Sequence, residues 1–129
     1  MACEFDHQIC DLVNNPRYNF YRLFIDGECL FDEFYEEVQH IKEDMKSMVA
    51  IINLMDHFSE HLQLPDSKFR HIESMHRSDV FEFKKKTIRV YIVLQKPNVY
   101  IVMGGYKKDQ DNDIRRLKRC LKGFPILHS

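Results

Sequence analysis

Arg89 stands between apolar neighbours in the run Ile88-Arg89-Val90-Tyr91, and the later run Gly104-Gly105-Tyr106-Lys107-Lys108 delivers two lysines directly after a double glycine. A guanidinium among apolar residues costs free energy unless it is paired or faces a wet groove. Two uses are open to it: an ion pair with Glu82 from a neighbouring strand, or a clamp on a phosphate, whose oxygens match arginine's planar fork. Period-two alternation sets Tyr91 on the same side as Arg89. Lysines in a turn are by default only solvated, but here they converge with other groups. Arg89, Tyr91, Tyr106, Lys107 and Lys108 can line one patch, flanked by Lys84, Lys85 and Lys86 and by Arg70 and His71. Basic groups interleaved with aromatics suit single-stranded RNA, where phosphates are neutralised and bases stack.

Positioning such a patch requires a sheet. Phe81 and Phe83 alternate with Val80, Glu82 and Lys84, a turn follows at Lys85-Lys86-Thr87, and Ile88, Val90, Ile92 and Leu94 then point away from Arg89, Tyr91 and Val93. Lys96-Pro97-Asn98 reads as a hairpin loop before a strand over residues 99–103. Gly104-Gly105 permits a bend or bulge that aims the following residues off the ladder.

Upstream, the aromatic and β-branched stretch YNFYRLFI, residues 18–25, predicts a strand, with Asp26-Gly27 ending it and Asp26 free to cap a helix. Residues 28–64 contain neither Gly nor Pro and change to helical period. Leu30, Phe31, Phe34, Tyr35, Val38 and Ile41 form one apolar stripe, and Met48, Val49, Ile52, Met55, Phe58 and Leu62 a second, with a restart at Ser47; two antiparallel helices are expected. Residues 68–72 allow a short strand. Asp109 to Asp113 offer N-caps for a helix ending near Lys122, with Gly123 as its C-cap and Ile114, Leu117 and Leu121 docking on the sheet. Residues 1–16 predict a short helix appended to the core, punctuated by Pro16. The fold class expected is α+β: an antiparallel sheet of about four strands, with two N-terminal helices and a C-terminal helix packed on it.

With 129 residues, 44% apolar and 30% charged, the chain suits one globular domain. No apolar run approaches the roughly 20 residues of a membrane span, so no membrane partner is expected. The first residues lack the basic and apolar regions of a secretory signal, which makes a cytoplasmic location the expectation. Net charge −1 conceals a polarity: residues 1–65 carry −9 and residues 66–129 carry +8. That predicts a polyanionic ligand for the second half, an acidic partner covering it, or neutralisation of one half by the other. The four cysteines, 3, 10, 29 and 120, form no Cys-x-x-Cys pair and read as reduced thiols. Cys3, His7 and Cys10 lack the second cluster that structural zinc needs, and no metal or cofactor is expected.

Phe-Glu-Phe-Lys, Ile-Arg-Val-Tyr, Tyr-Ile-Val-Met-Gly-Gly-Tyr-Lys-Lys and the closing Asp-Ile-x-x-Leu-Lys helix resemble the RelE/ParE family of toxins from type II toxin–antitoxin modules, nearest to the HigB-like branch. The resemblance spans roughly residues 18–124 and is most specific from Phe69 onward. It implies a single RelE-like toxin domain over residues 17–129, with residues 1–16 as an extension that has no counterpart. It also implies a metal-independent endoribonuclease that cuts mRNA, commonly on the ribosome, inhibits translation, and is held at rest by a cognate antitoxin of helix-turn-helix type. Arg89 matches the family's central-strand arginine, Lys107 and Lys108 its lysine pair, and Glu82 with Lys84 its Glu-x-Arg strand, with lysine replacing arginine.

The chemistry so implied is attack of a ribose 2′-OH on the adjacent phosphate, which needs a base, a stabiliser of pentavalent charge and an acid for the leaving oxygen. Arg89 suits the stabiliser. Lys107 or Lys108 could be a base if crowding by cations lowers its pKa, with His71 or Tyr91 as other proton carriers. Active members often place a catalytic side chain close to the C-terminus, where this chain offers only His128. The alternative is a non-catalytic member of the same fold, such as a ParE-like gyrase inhibitor or a degenerate toxin that still binds its partner.

Overall fold

The computed structural model describes residues 3–60 and 63–126. In chain order these form β1 (Phe5–Ile9), β2 (Asn19–Ile25), α1 (Leu30–Val38), α2 (Lys42–Asp56), β3 (Phe69–His71), β4 (Val80–Lys85), β5 (Ile88–Gln95), β6 (Asn98–Tyr106) and α3 (Gln110–Cys120), with 3-10 turns at Glu73–Met75 and Lys107–Asp109. The class is α+β. The sheet has six strands in the order β1-β2-β6-β5-β4-β3, rather than about four. It is mixed rather than antiparallel, because β2 runs parallel to β6. Parallel neighbours need a crossover, and everything from α1 to β5 supplies it.

Strand alternation divides the core into two layers. Ile88, Val90 and Ile92 of β5 join Phe83, Val99, Ile101 and the inward residues of α1 and α2 on one face. Tyr91 and Val93 join Val102, Met103, Leu117 and Leu121 on the other, beneath α3. The helical pair forms, burying Phe31, Phe34 and Val38 from α1 and Met48, Ile51 and Met55 from α2, where Ile51 was not part of the expected stripe. The break falls at Gln39 to Ile41, not at Ser47, which is buried inside α2. Ile41 and Val49, read as core, are 45% and 46% exposed. Leu62 lies outside the described residues.

Residues 1–16 differ most from expectation. Residues 5–9 form an edge strand, paired antiparallel with β2 from Phe5↔Ile25 to Ile9↔Tyr21, where a helix was predicted. Asp26 caps no helix: its Oδ1 accepts the Glu4 N–H at 2.8 Å, and α1 starts after Cys29 without a side-chain cap. The carboxylate thus fastens the first strand to the β2 turn.

The bulge in β6 falls at Val102, between the pairs Tyr91↔Met103 and Ile92↔Ile101. It puts Val102 and Met103 both on the α3 side. Gly104 and Gly105 stay in the ladder, opposite Val90 and Arg89, and their use is close approach. A Cβ at Gly104 would overlap the Phe34 ring of α1, and one at Gly105 would overlap the Asp113 carboxyl of α3. Both helices therefore sit against bare backbone at the end of β6.

Candidate functional site

On the α3 face of the sheet, Lys84, Arg89 and Gly105 form one cross-strand row and Glu82, Tyr91 and Met103 the next, with Arg70 of β3 opposite Glu82. A period of two along β4 and β5 is enough to gather these side chains. Glu82 is fully buried. Its oxygens take Arg70 at 3.0 Å, Lys84 at 3.9 Å and the Gln110 amide of α3.

Arg89 is not the partner of Glu82. It is 7% exposed, and its Nη1 donates to the carbonyls of Lys86 at 2.8 Å and Ile88 at 3.0 Å. Its Nε is sealed without a partner. Among the described residues no carboxylate forms an ion pair with it, and Nη2, which is not among the sealed atoms, makes no hydrogen bond. A free N–H edge on a guanidinium is a donor that a carboxylate or phosphate oxygen can accept from.

Lys84 lies alongside, with 16% of its side chain exposed. Burial first, and then the Arg70 and Arg89 cations, lower its pKa below the usual lysine value, against the pull of Glu82. A lysine of lowered pKa thus stands in β4, at a position read from the sequence as an RNA contact and as the lysine of the Glu-x-Arg strand. The expectation attached the lowered pKa to Lys107 or Lys108.

Lys107 and Lys108 occupy the exposed 3-10 turn after β6. The Lys107 N–H donates to the Thr87 carbonyl at 2.8 Å, which draws Lys107 to the same sheet end as the exposed Lys85 and Lys86. Lys108 turns the other way, its Nζ 5.8 Å from the centre of the Tyr106 ring. Tyr106 belongs to the α1/α2 face, edge-on to Phe34 at 5.2 Å, with its hydroxyl donating to Asp44 at 3.0 Å. Burial and Asp44 push its pKa up to about 12.

Two expected proton carriers are held away from this site. His71 also faces the α1/α2 side, packed on Phe81, with its ring nitrogens on Glu73 at 3.0 Å and the Arg77 carbonyl at 2.8 Å. The Glu73 contact raises its pKa against burial. Tyr91 is on the correct face but fully enclosed by α3, and its hydroxyl has no hydrogen-bond partner. Burial, Asp113 and Glu82 push its pKa up; the nearby Gln110 amide opposes this, although that amide's donor is engaged by Glu82. His128 lies outside the described residues.

Sequence reading missed Gln110 and Asp113, which close the site from above. Nothing in a polar helix start distinguishes them. The one usable signal was Gly105, which on a sheet face asks what lies over it. Asp113 answers: its Oδ2 is sealed and unpartnered, and burial followed by Asp109 pushes its pKa up to about 6, with Arg116 opposing.

The charge halves do not cancel by pairing. Among the described ion pairs only Lys96–Glu60, at 3.1 Å, joins residues 1–65 to residues 66–129. The other described pairs lie within one half. Comparison with family models, curated proteins and solved structures finds no match to this chain.

Proposed function

We propose that this chain is the toxin component of a type II toxin–antitoxin module, a metal-independent mRNA endoribonuclease of RelE-like fold that inhibits translation. The observation that carries the reading is Arg89, a nine-tenths buried cation with no carboxylate partner among the described residues and a free Nη2, beside a lysine of lowered pKa. In this reading a scissile phosphate sits on Nη2, where the guanidinium opposes the charge that grows on pentavalent phosphorus. Lys84, whose cation burial and two arginines disfavour, takes the proton from the ribose 2′-OH as that oxygen bonds to phosphorus and the P–O5′ bond breaks, the 5′-oxygen taking a proton from water and leaving a 2′,3′-cyclic phosphate. Glu82 positions Lys84, fixed in turn by Arg70 and Gln110. Lys85, Lys86 and Lys107 hold flanking phosphates at the sheet end. The antitoxin, a helix-turn-helix protein in the parent expectation, covers this basic surface at rest.

One observation favours the alternative of a non-catalytic binding member. Of the proton carriers expected from the sequence, Tyr91 is enclosed and His71 faces the opposite side of the sheet, so neither stands free beside Arg89. A gyrase inhibitor or degenerate toxin needs only the basic surface.

Induced expression separates the two. The ribonuclease reading expects growth arrest with truncated transcripts, and cleavage by purified protein of free mRNA in EDTA or of ribosome-bound mRNA in magnesium buffer. Arg89→Ala should abolish both effects. Arrest with intact transcripts and broken DNA would select the gyrase reading; intact growth and intact mRNA would remove the toxin reading.

A further inference from the structure

At the opposite end of the α3 face lies a cavity of about 260 Å³ that the candidate phosphate site does not use. Phe5 and His7 of β1, Tyr100 of β6, and Phe124 and Pro125 after α3 line it, with Gln95 beside them. Its walls are aromatic. Phe124 stands edge-on to Phe5 at 5.0 Å and to Tyr100 at 5.4 Å. Tyr21 stacks on Tyr100 at 5.6 Å, and the exposed His7 ring stands edge-on to Tyr21 at 4.8 Å. Beyond them Ile9 is 73% exposed, so α3 leaves this part of the sheet face open.

Gln95 supplies direction. It is 8% exposed, and its Nε2 donates to the Pro125 carbonyl at 2.7 Å and to Asp79 at 3.2 Å. Two acceptors fix which amide atom is nitrogen. Its Oε1 accepts no hydrogen bond among the described residues and is not a sealed atom. A planar ring entering the cavity can stack on Tyr100 and donate an N–H to this oxygen, a pairing that nucleobases satisfy with their ring or exocyclic N–H groups.

The path to the cavity is basic. Arg115, Lys118, Arg119 and Lys122 follow helical spacing on the side of α3 away from Leu117 and Leu121; all are exposed and none has a carboxylate partner among the described residues. The helix starts beside Glu82 through Gln110 and ends near Phe124, spanning about 16 Å at 1.5 Å per residue. Asp6 at the cavity rim is the one carboxylate lining it, and its Oδ1 accepts the His7 N–H.

We propose that this cavity is a nucleobase subsite for single-stranded RNA, and that the outer stripe of α3 carries the phosphates between it and Arg89. The proposal rests on the RNA reading above and deepens it: β1, without counterpart in the resembled family, supplies two walls of the subsite.

A short 2′-O-methyl oligonucleotide carrying one 2-aminopurine tests it on the full chain, since it stacks but cannot be cleaved through its blocked 2′-oxygen. Binding should quench the fluorescence, more weakly as salt rises. His7→Ala, at an exposed edge position, and Tyr100→Leu should each weaken quenching by about tenfold, the scale of one base–aromatic stack. Lys118→Glu combined with Lys122→Glu should flatten the salt dependence. Unchanged quenching in both aromatic variants would overturn the subsite. So would equal affinity for an oligonucleotide with an abasic spacer, or a dimer lost in His7→Ala with the probe unquenched, which would give the face to a second copy of the chain. Cleavage of unmodified RNA is read separately, so either reading can fail while the other stands.

Discussion

Asp113→Asn is expected to stabilise the protein at neutral pH and to leave it unchanged in acid. The carboxyl lies over Gly105 with Oδ2 sealed and unpartnered, and burial followed by Asp109 pushes its pKa from 3.8 up to about 6. A carboxyl whose folded pKa is raised supports folding only while neutral. Below 3.8 both folded and unfolded chains hold the proton. Above it the unfolded chain ionises first, so stability falls until the folded carboxyl also ionises near 6 and is flat beyond. A displacement of about two units at ~1.4 kcal/mol each bounds the loss at about 3 kcal/mol. Because the side chain is partly exposed and can turn toward water, about 1–2 kcal/mol is the expected gain for the asparagine variant.

Urea unfolding of both proteins from about pH 4 to about pH 8 reads this as a stability difference that opens between those limits. Titration of the Asp113 carboxyl carbon by NMR reads the pKa itself. A stability difference independent of pH, or a carboxyl titrating at the ordinary aspartate value, would refute the reasoning. The consequence reaches the site because the first turns of α3, which carry Gln110 and Asp113, enclose Tyr91 and Glu82. Looser seating of those turns at higher pH should appear as lower amide protection at Gln110 to Asp113, relative to the intrinsic exchange rate at each pH, in the parent and not in the variant.

If Lys84 is the base, cleavage in the parent should climb with pH until its lowered pKa is passed, since only the neutral amine accepts a proton; Lys84→Arg should erase that climb while retaining RNA binding in a filter assay. Arg89→Lys keeps the charge and loses the fork, so kcat should fall by about 10²-fold, the scale of losing one preorganised donor, with unfolding measured in parallel because the Nη1 bonds to Lys86 and Ile88 are lost too. Gly104→Ala drives a methyl into the Phe34 ring and should cost about 1–3 kcal/mol in urea unfolding. Phe34→Leu in the same chain should return part of that loss, and strict additivity of the two substitutions would contradict the packing shown.

Residue periodicity made β4, β5 and β6 legible, because a sheet buried on both faces needs Ile88, Val90 and Ile92 on one side and Tyr91 and Val93 on the other. That same alternation grouped Arg89 with Tyr91. The register sets Tyr106 opposite Ile88 and His71 opposite Phe81, both on the other face; for Tyr106 this follows from the bulge at Val102, which reverses the facing that unbroken alternation along β6 gives. The kink expected at the double glycine was misplaced because glycine in a strand has two uses, release of the backbone or admission of a neighbour, and only the tertiary packing of Phe34 and Asp113 separates them. β1 was illegible for a different reason. Cys3, Phe5, Ile9, Leu12 and Val13 fit a helical stripe, and nothing within residues 1–16 reports that β2 offers a free edge. Gln110 was beyond reach from sequence, its role arising from where α3 lands on Glu82.

Arg89 shows that the two uses first weighed for it were too few. Its Nη1 closes the β4–β5 turn by holding the carbonyl of Lys86, a residue at φ 52° where a side chain is disfavoured. Structural duty therefore consumes one nitrogen, and an ion pair consumes none, because Glu82 is saturated by Arg70, Lys84 and Gln110. Burial of a full positive charge against carbonyls alone is costly in a chain with acidic residues to spare. On the proposed reading that cost falls when a phosphate approaches Nη2. Lys84, disfavoured as a cation by the same arginine, becomes easier to keep charged once the phosphate arrives. In the proposed ribonuclease reading a bound phosphate therefore works against Lys84 as the base, and the pH dependence of cleavage by Lys84→Arg decides whether it has that role.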